Sequence, residues 1–156
     1  MHRSRLVAAA IGALALVLLT STPATAASSP AVRAKALHQP SVYESYYTSV
    51  RFEYQCPTGA VATVSASISQ PGTGAFYDST APFEPKPVLT CDGEKHAAHI
   101  GLISPGYTEE NAATYDAPYL QDTAQGFGRG TVVVTVTAAG RSATDSTRVT
   151  VQSRDV

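Results

Sequence analysis

One apolar run dominates the start of the chain: Leu6 to Leu19, 14 residues without a polar interruption. Further along, apolar and polar positions alternate in short stretches cut by turn residues. Val50, Phe52, Tyr54 and Cys56 share one parity, and Arg51, Glu53 and Gln55 share the other. Successive strand side chains point to opposite faces, so this stretch predicts a strand with one wet face. Pro57-Thr58-Gly59 predicts a hairpin turn after it. Residues 60–70 alternate again, with Ala62, Val64, Ala66 and Ile68 inward and Ser65, Ser67 and Ser69 outward.

Pro71, Pro82, Pro85 and Pro87 rule out a regular ladder over 71–87 and predict a long loop. Residues 88–91 read as a short strand, with Asp92-Gly93 as a tight hairpin turn. Residues 96–103 form the return strand, with Ala98, Ile100 and Leu102 on one face. A second long loop covers 104–130, with one helical turn expected over 108–113, capped by Thr108. Val132, Val133, Val134 and Val136 mark a strand over 131–137. Ala138 to Arg141 turns the chain, and 142–152 returns with Val149 and Val151 as its apolar pair. Six strands, or seven with a contribution from Val42 to Tyr47, predict an all-β, Ig-like antiparallel sandwich over 42–156.

The opening run sits between a basic start (His2, Arg3, Arg5) and a small-residue stretch with Pro23 and Ala24-Thr25-Ala26. That is the layout of a secretory signal over residues 1–26 with an A-x-A cleavage pattern. Its 14 residues reach roughly 21 Å as a helix, short of a hydrocarbon core of about 30 Å. The mature chain is therefore expected to be secreted and to carry no membrane span. Residues 27–41, rich in Ala, Ser and Pro, read as a flexible arm. Removing 26 of the 156 residues leaves 130, and losing Arg3 and Arg5 leaves 9 basic against 12 acidic groups, net −3. Such a balance gives no electrostatic footprint for a nucleic acid. In an oxidising compartment Cys56 and Cys91 are expected to form a disulfide. Both end a predicted strand before a tight turn, so the bridge should staple one end of the sandwich with its Cα atoms within about 7 Å.

A strand ending in Cys56-Pro57, a serine-rich strand ending at Gln70, Cys91-Asp92-Gly93 followed by His96, and a closing valine-rich hairpin form a recurring pattern. Together they resemble small secreted single-disulfide β-sandwich proteins of actinobacteria. The resemblance covers about 50–151. It implies a fold and a compartment, and it hands over no catalytic residue. Immunoglobulin domains fit only in part. The chain has no tryptophan, and its Cys spacing is short for an inter-sheet bridge. Tyr54 also precedes the first cysteine by two residues, where a tyrosine corner would precede the second.

Candidate chemistry is sparse. Asp92, Glu94, His96 and His99 are the densest group of possible ligands. His96 and His99 lie three apart on a strand and point to opposite faces, so they cannot chelate one ion without a bulge. No metal and no cofactor is expected. Gly126 to Gly130 leads into a strand, whereas a dinucleotide loop opens a helix. No Gly-x-Ser-x-Gly elbow is present, and no catalytic residue is assigned.

Aromatic residues are the informative feature. Tyr43, Tyr46 and Tyr47 cluster before the first firm strand. Phe76, Tyr77 and Phe83 share one loop, and Tyr107, Tyr115, Tyr119 and Phe127 the other. Tyr among Ser, Gly, Thr and Asn is the composition of binding surfaces, since the ring gives contact area at low entropic cost. The plainer alternative is that these rings fold back and cap a thin core of alanine and valine. The candidate binding residues are Tyr107, Tyr115, Tyr119, Phe127, Phe76 and Tyr77, facing a protein or cell-envelope ligand. A passive envelope protein and a small extracellular hydrolase are the alternatives.

Overall fold

The computed structural model describes residues 31–37, 41–44, 46–80, 86–121 and 129–153, with backbone alone for 41–44 and 152–153. Residues 1–26, read as a secretory leader, lie outside the described residues. Among them are nine strand segments: β1 (Arg33–Ala36), β2 (Ser41–Glu44), β3 (Tyr47–Gln55), β4 (Ala62–Gln70), β5 (Ala75–Asp78), β6 (Lys95–Ile103), β7 (Gly130–Ala138), β8 (Arg141–Val149) and β9 (Gln152–Ser153). All described pairings are antiparallel except β2 with β9.

The sheet order is β8-β7-β4-β5-β6-β3-β2-β9, with β1 also paired to β3. β3 pairs with β6 along nine residues, from Tyr47↔Ile103 to Gln55↔Lys95. β4 pairs with β7 from Ala62↔Ala138 to Ser69↔Thr131. The link between these halves is slight, one β5–β6 pair at Asp78↔Ile103. The sheet folds there, so that β3 meets β7 and β4 meets β6 across the interior. The result is a β-sandwich that nearly closes as a barrel.

Alternation decides what fills it. Val50, Phe52 and Tyr54 from β3, Val64, Ala66 and Ile68 from β4, Ile100 and Leu102 from β6, and Val132, Val134 and Val136 from β7 are all buried. These are the inward parities read from the sequence. At nearly 0.8 kcal/mol per buried CH₂, an interior so rich in valine and alanine gains modestly for its area, which leaves weight for covalent and polar ties.

Within 27–41, read as a flexible arm, the described residues Arg33–Ala36 form β1. Ala34 and Ala36 are the inward-facing apolar pair of a short edge segment, with Arg33 and Lys35 exposed. The Leu37 N–H donates to the Arg51 carbonyl at 3.0 Å, so in an antiparallel ladder the Ala36 N–H points away from β3. Asp145 on β8 accepts it at 2.8 Å. A carboxylate thus replaces a ladder bond where β1 packs against β8 and closes the open side.

Cys56 and Cys91 are bridged, with Cα atoms 5.0 Å apart. The expected hairpins are not those observed. Pro57-Thr58-Gly59 carries the chain from β3 in one layer to β4 in the other, and 88–91 forms no strand. Val88 is 97 % exposed while Leu89 is buried. Turn residues announce a change of direction; they do not name the partner. The bridge joins the end of β3 to the approach to β6, two adjoining strands of one layer, unlike an inter-sheet immunoglobulin bridge. Gly93 N–H donates to the Cys56 carbonyl and Gly59 N–H to the Cys91 carbonyl, at 3.2 and 2.8 Å. Gly93 takes φ +91°, and a Cβ there would lie 3.1 Å from Thr58 Oγ1. Asp92 Oδ1 accepts from Glu94 N–H at 2.8 Å, the side-chain turn its sequence position predicts.

The long loops contain more order than their sequence shows. β5 lies inside the proline-bounded stretch, paired to β4 from Gln70↔Ala75 to Ser67↔Asp78. The turn expected over 108–113 is a single 3₁₀ turn, Glu109–Asn111, capped by Thr108. No helix of the described residues is long and apolar enough to cross a membrane.

Candidate functional site

Segment 104–121 is fastened to the sheet at several points. Asn111 Oδ1 accepts from the Thr108 N–H at 2.8 Å, and Asn111 Nδ2 donates to the Gly106 carbonyl at 2.8 Å. The Tyr115 hydroxyl donates to the Pro105 carbonyl and so accepts from Ser104 Oγ at 3.0 Å. Tyr46, at the threshold of β3, donates its hydroxyl to the Tyr115 carbonyl at 2.9 Å.

The far end is held harder. Gln70 is the last inward position of β4, and it is fully buried. Its Nε2 donates to the Gln121 carbonyl and its Oε1 accepts the Gln121 N–H, both at 2.8 Å. Oε1 also stands 3.3 Å from Thr73 Oγ1. Beside this clamp Leu120 is buried, and its N–H donates to the Tyr77 hydroxyl at 3.2 Å. Burial pushes the Tyr77 phenol well above its ordinary pKa, so it stays neutral. Leu120 and Gln121 are thereby fixed, and Tyr119 beside them is exposed.

The loop tyrosines do come together. Tyr46 stacks on Tyr107 with centroids 5.1 Å apart and meets Tyr115 edge-on at 4.9 Å. Tyr107 and Tyr115 lie 5.5 Å apart, and Tyr119 stands at 82° to Tyr46 with centroids 6.4 Å apart. Tyr46, Tyr107 and Tyr115 are half-buried in this group, whereas Tyr119 is 44 % exposed. Within one cluster, three rings pack together and the fourth is exposed.

Phe76 and Tyr77 separate by parity on β5. Tyr77 is a core residue at 0 % exposure and leaves the candidate surface, and Phe76 is 46 % exposed. No ring contact among the described residues joins Phe76 to the tyrosines. Phe127 lies outside the described residues.

Beside Tyr119 is an open groove of about 440 Å³, lined by Gly72, Thr73, Asp116, Ala117, Pro118 and Gln121. One wall is the β4–β5 turn; the other is the 116–119 segment. They approach at Gly74, whose positive φ of +77° suits the turn and where an added Cβ would lie 3.7 Å from Pro118 Cγ. Asp116 makes no hydrogen bond or ion pair among the described residues.

The other chemistry-bearing group is different in kind. His96 Nε2 lies 2.8 Å from Asp92 Oδ1, and its ring tilts on Tyr54 at 5.6 Å. The hydrogen bond from His96, helped by the Glu94 N–H, lowers the Asp92 pKa. His99 is exposed while His96 is half-buried, as their strand spacing requires. No group of three or more His, Cys, Asp or Glu side chains is placed to hold a metal ion among the described residues.

No family model matches the chain, and no curated protein matches it. Among solved structures, it is similar to Spo0M, a sporulation control protein from Bacillus subtilis, at 12% identity and a TM-score of 0.40. That alignment covers 80% of this chain and 50% of the other, so the chain spans half the length of that protein.

Proposed function

We propose that the chain is a secreted, non-enzymatic binding module that contacts a protein partner, free or in the cell envelope, through the Tyr119 groove. The carrying observation is the exposed Tyr119 next to a clamped stretch of backbone. A ring 44 % exposed yet flanked by a buried leucine and a doubly clamped Gln121 loses little entropy on binding. Secretion rests on the leader pattern and accords with the formed disulfide. The resemblance to secreted actinobacterial β-sandwich proteins points the same way. A passive envelope role is the second reading, favoured by the way Tyr46, Tyr107 and Tyr115 satisfy one another.

Site-specific cross-linking tests the proposal. A photoreactive phenylalanine analogue replaces Tyr119 in one variant and Val61 in another; Val61 is 87 % exposed and lies outside the groove lining. Both are irradiated with the secreted and envelope fractions of the producing cell. A discrete polypeptide adduct at 119 and none at 61 is expected. Identical adducts at both positions, or none at 119, favours the passive reading.

A further inference from the structure

We infer that the groove seats an arginine side chain of an extended polypeptide, with the guanidinium on the face of Tyr119 and hydrogen-bonded to the Asp116 carboxylate. The inference rests on the binding reading above and names what the groove takes.

Three observations carry it. First, the groove holds one charge, Asp116, with Tyr119 as its aromatic wall and uncharged side chains elsewhere. A carboxylate beside an exposed ring is the donor–face pair that a planar cation uses: the ring offers its negative face, and the carboxylate accepts parallel N–H bonds. Second, the segment that forms one wall carries charge of one sign. Residues 104–121 contain Glu109, Glu110 and Asp116 and no lysine or arginine. An anionic ligand would approach against that charge, and a cationic one is drawn toward it. Third, the ring geometry disfavours a sugar platform. Tyr119 stands at 82° to Tyr46, so these two rings offer no flat platform for successive sugar units. The volume of about 440 Å³ leaves room for an arginine side chain and part of its neighbours.

The test is a titration of the ¹⁵N-labelled mature protein followed by amide chemical shifts. The probes are a blocked arginine tetrapeptide, the same peptide with citrulline in place of arginine, and a chito-oligosaccharide. The arginine peptide is expected to shift the Gly72, Thr73, Asp116 and Tyr119 amides. A dissociation constant on the order of 1 mM fits a single exposed side-chain site. The citrulline peptide and the Asp116→Asn variant should each bind about fivefold more weakly. Tyr119→Leu should lose about two- to fivefold, the range of an exposed cation–π contact. Raising the salt from about 0.05 M to 0.5 M should weaken the arginine peptide alone, because screening reaches the exposed carboxylate.

Equal binding of the arginine and citrulline peptides would overturn the inference, as would groove shifts with the sugar alone. If no peptide binds while the polypeptide adduct at position 119 still forms, the arginine assignment falls and the binding reading stands. If the adduct is also missing, both fall.

Discussion

Gln70→Met tests the device that presents Tyr119. Methionine nearly preserves the volume of the fully buried glutamine and deletes its amide. Two bonds at 2.8 Å to the Gln121 backbone are lost, together with the 3.3 Å contact from Thr73. Each ordinary hydrogen bond is worth a net ~1 kcal/mol, and a donor left unpaired away from water costs ~1–3 kcal/mol. Methionine recovers part of this as apolar burial, so the expected loss is about 2 kcal/mol. With an unfolding entropy of about 2.1 cal/mol/K per residue over about 120 residues, that lowers Tm by about 8 °C. Urea unfolding gives the global loss. Amide hydrogen exchange locates it, because the Gln121 N–H should lose its protection while the core β7 amides keep theirs relative to global opening. A loss under about 0.5 kcal/mol with unchanged Gln121 exchange would refute the claim that this clamp fixes the segment.

Three further outcomes follow from the same structure. Replacing Cys56 and Cys91 with alanine opens a loop spanning residues 56 to 91, 35 apart in sequence, which costs roughly 4 kcal/mol in the chain-entropy model and about 15 °C in Tm by calorimetry; a drop below about 5 °C would contradict it. Ala139, at φ +49° in the two-residue β7–β8 turn with Gly140 at +70°, occupies a conformation that asparagine tolerates better. Ala139→Asn should therefore raise stability by about 0.5–1 kcal/mol in urea unfolding, and any decrease counts against the turn assignment. Asp92 has a folded pKa below its unfolded one, so its contribution is present above the ordinary carboxylate range and lost as pH falls through the folded value. His96→Ala should move the Asp92 midpoint upward in a carboxyl-carbon NMR titration, and an unmoved midpoint would show that the imidazole is not the cause.

Much of the interior was legible because it depends only on period-two alternation. The inward sets of β3, β4, β6 and β7 follow from Val50, Val64, Ile100, Val132 and their parity mates. The cysteine pairing was legible because the opening apolar run reads as a secretory signal, which would place the two thiols in an oxidising compartment. Strand partnership was not, since Pro57-Thr58-Gly59 has the chemistry of a hairpin turn yet carries the chain between layers. β1 escaped because two alanines give little hydrophobic signal, and its second edge is completed by a carboxylate distant in sequence, Asp145. The site was half visible. Composition pointed to Tyr107, Tyr115 and Tyr119, but only the register of β5 separates buried Tyr77 from exposed Phe76. Gln70 did leave a trace: it is a polar residue at the inward parity of Val64, Ala66 and Ile68, where an amide needs partners. Tyr46 showed only as one of three tyrosines clustered before the first firm strand, and Asp116 and Pro118 left no trace, because their places arise from contacts across the fold.

Hydroxyl-radical footprinting of residues 27–156, alone and with the secreted and envelope fractions, tests the central claim most directly. The account predicts that Tyr119 oxidation falls severalfold in the mixture while exposed Val61 and Val88 react as before. Oxidation of Tyr119 at the same rate in both samples would contradict it.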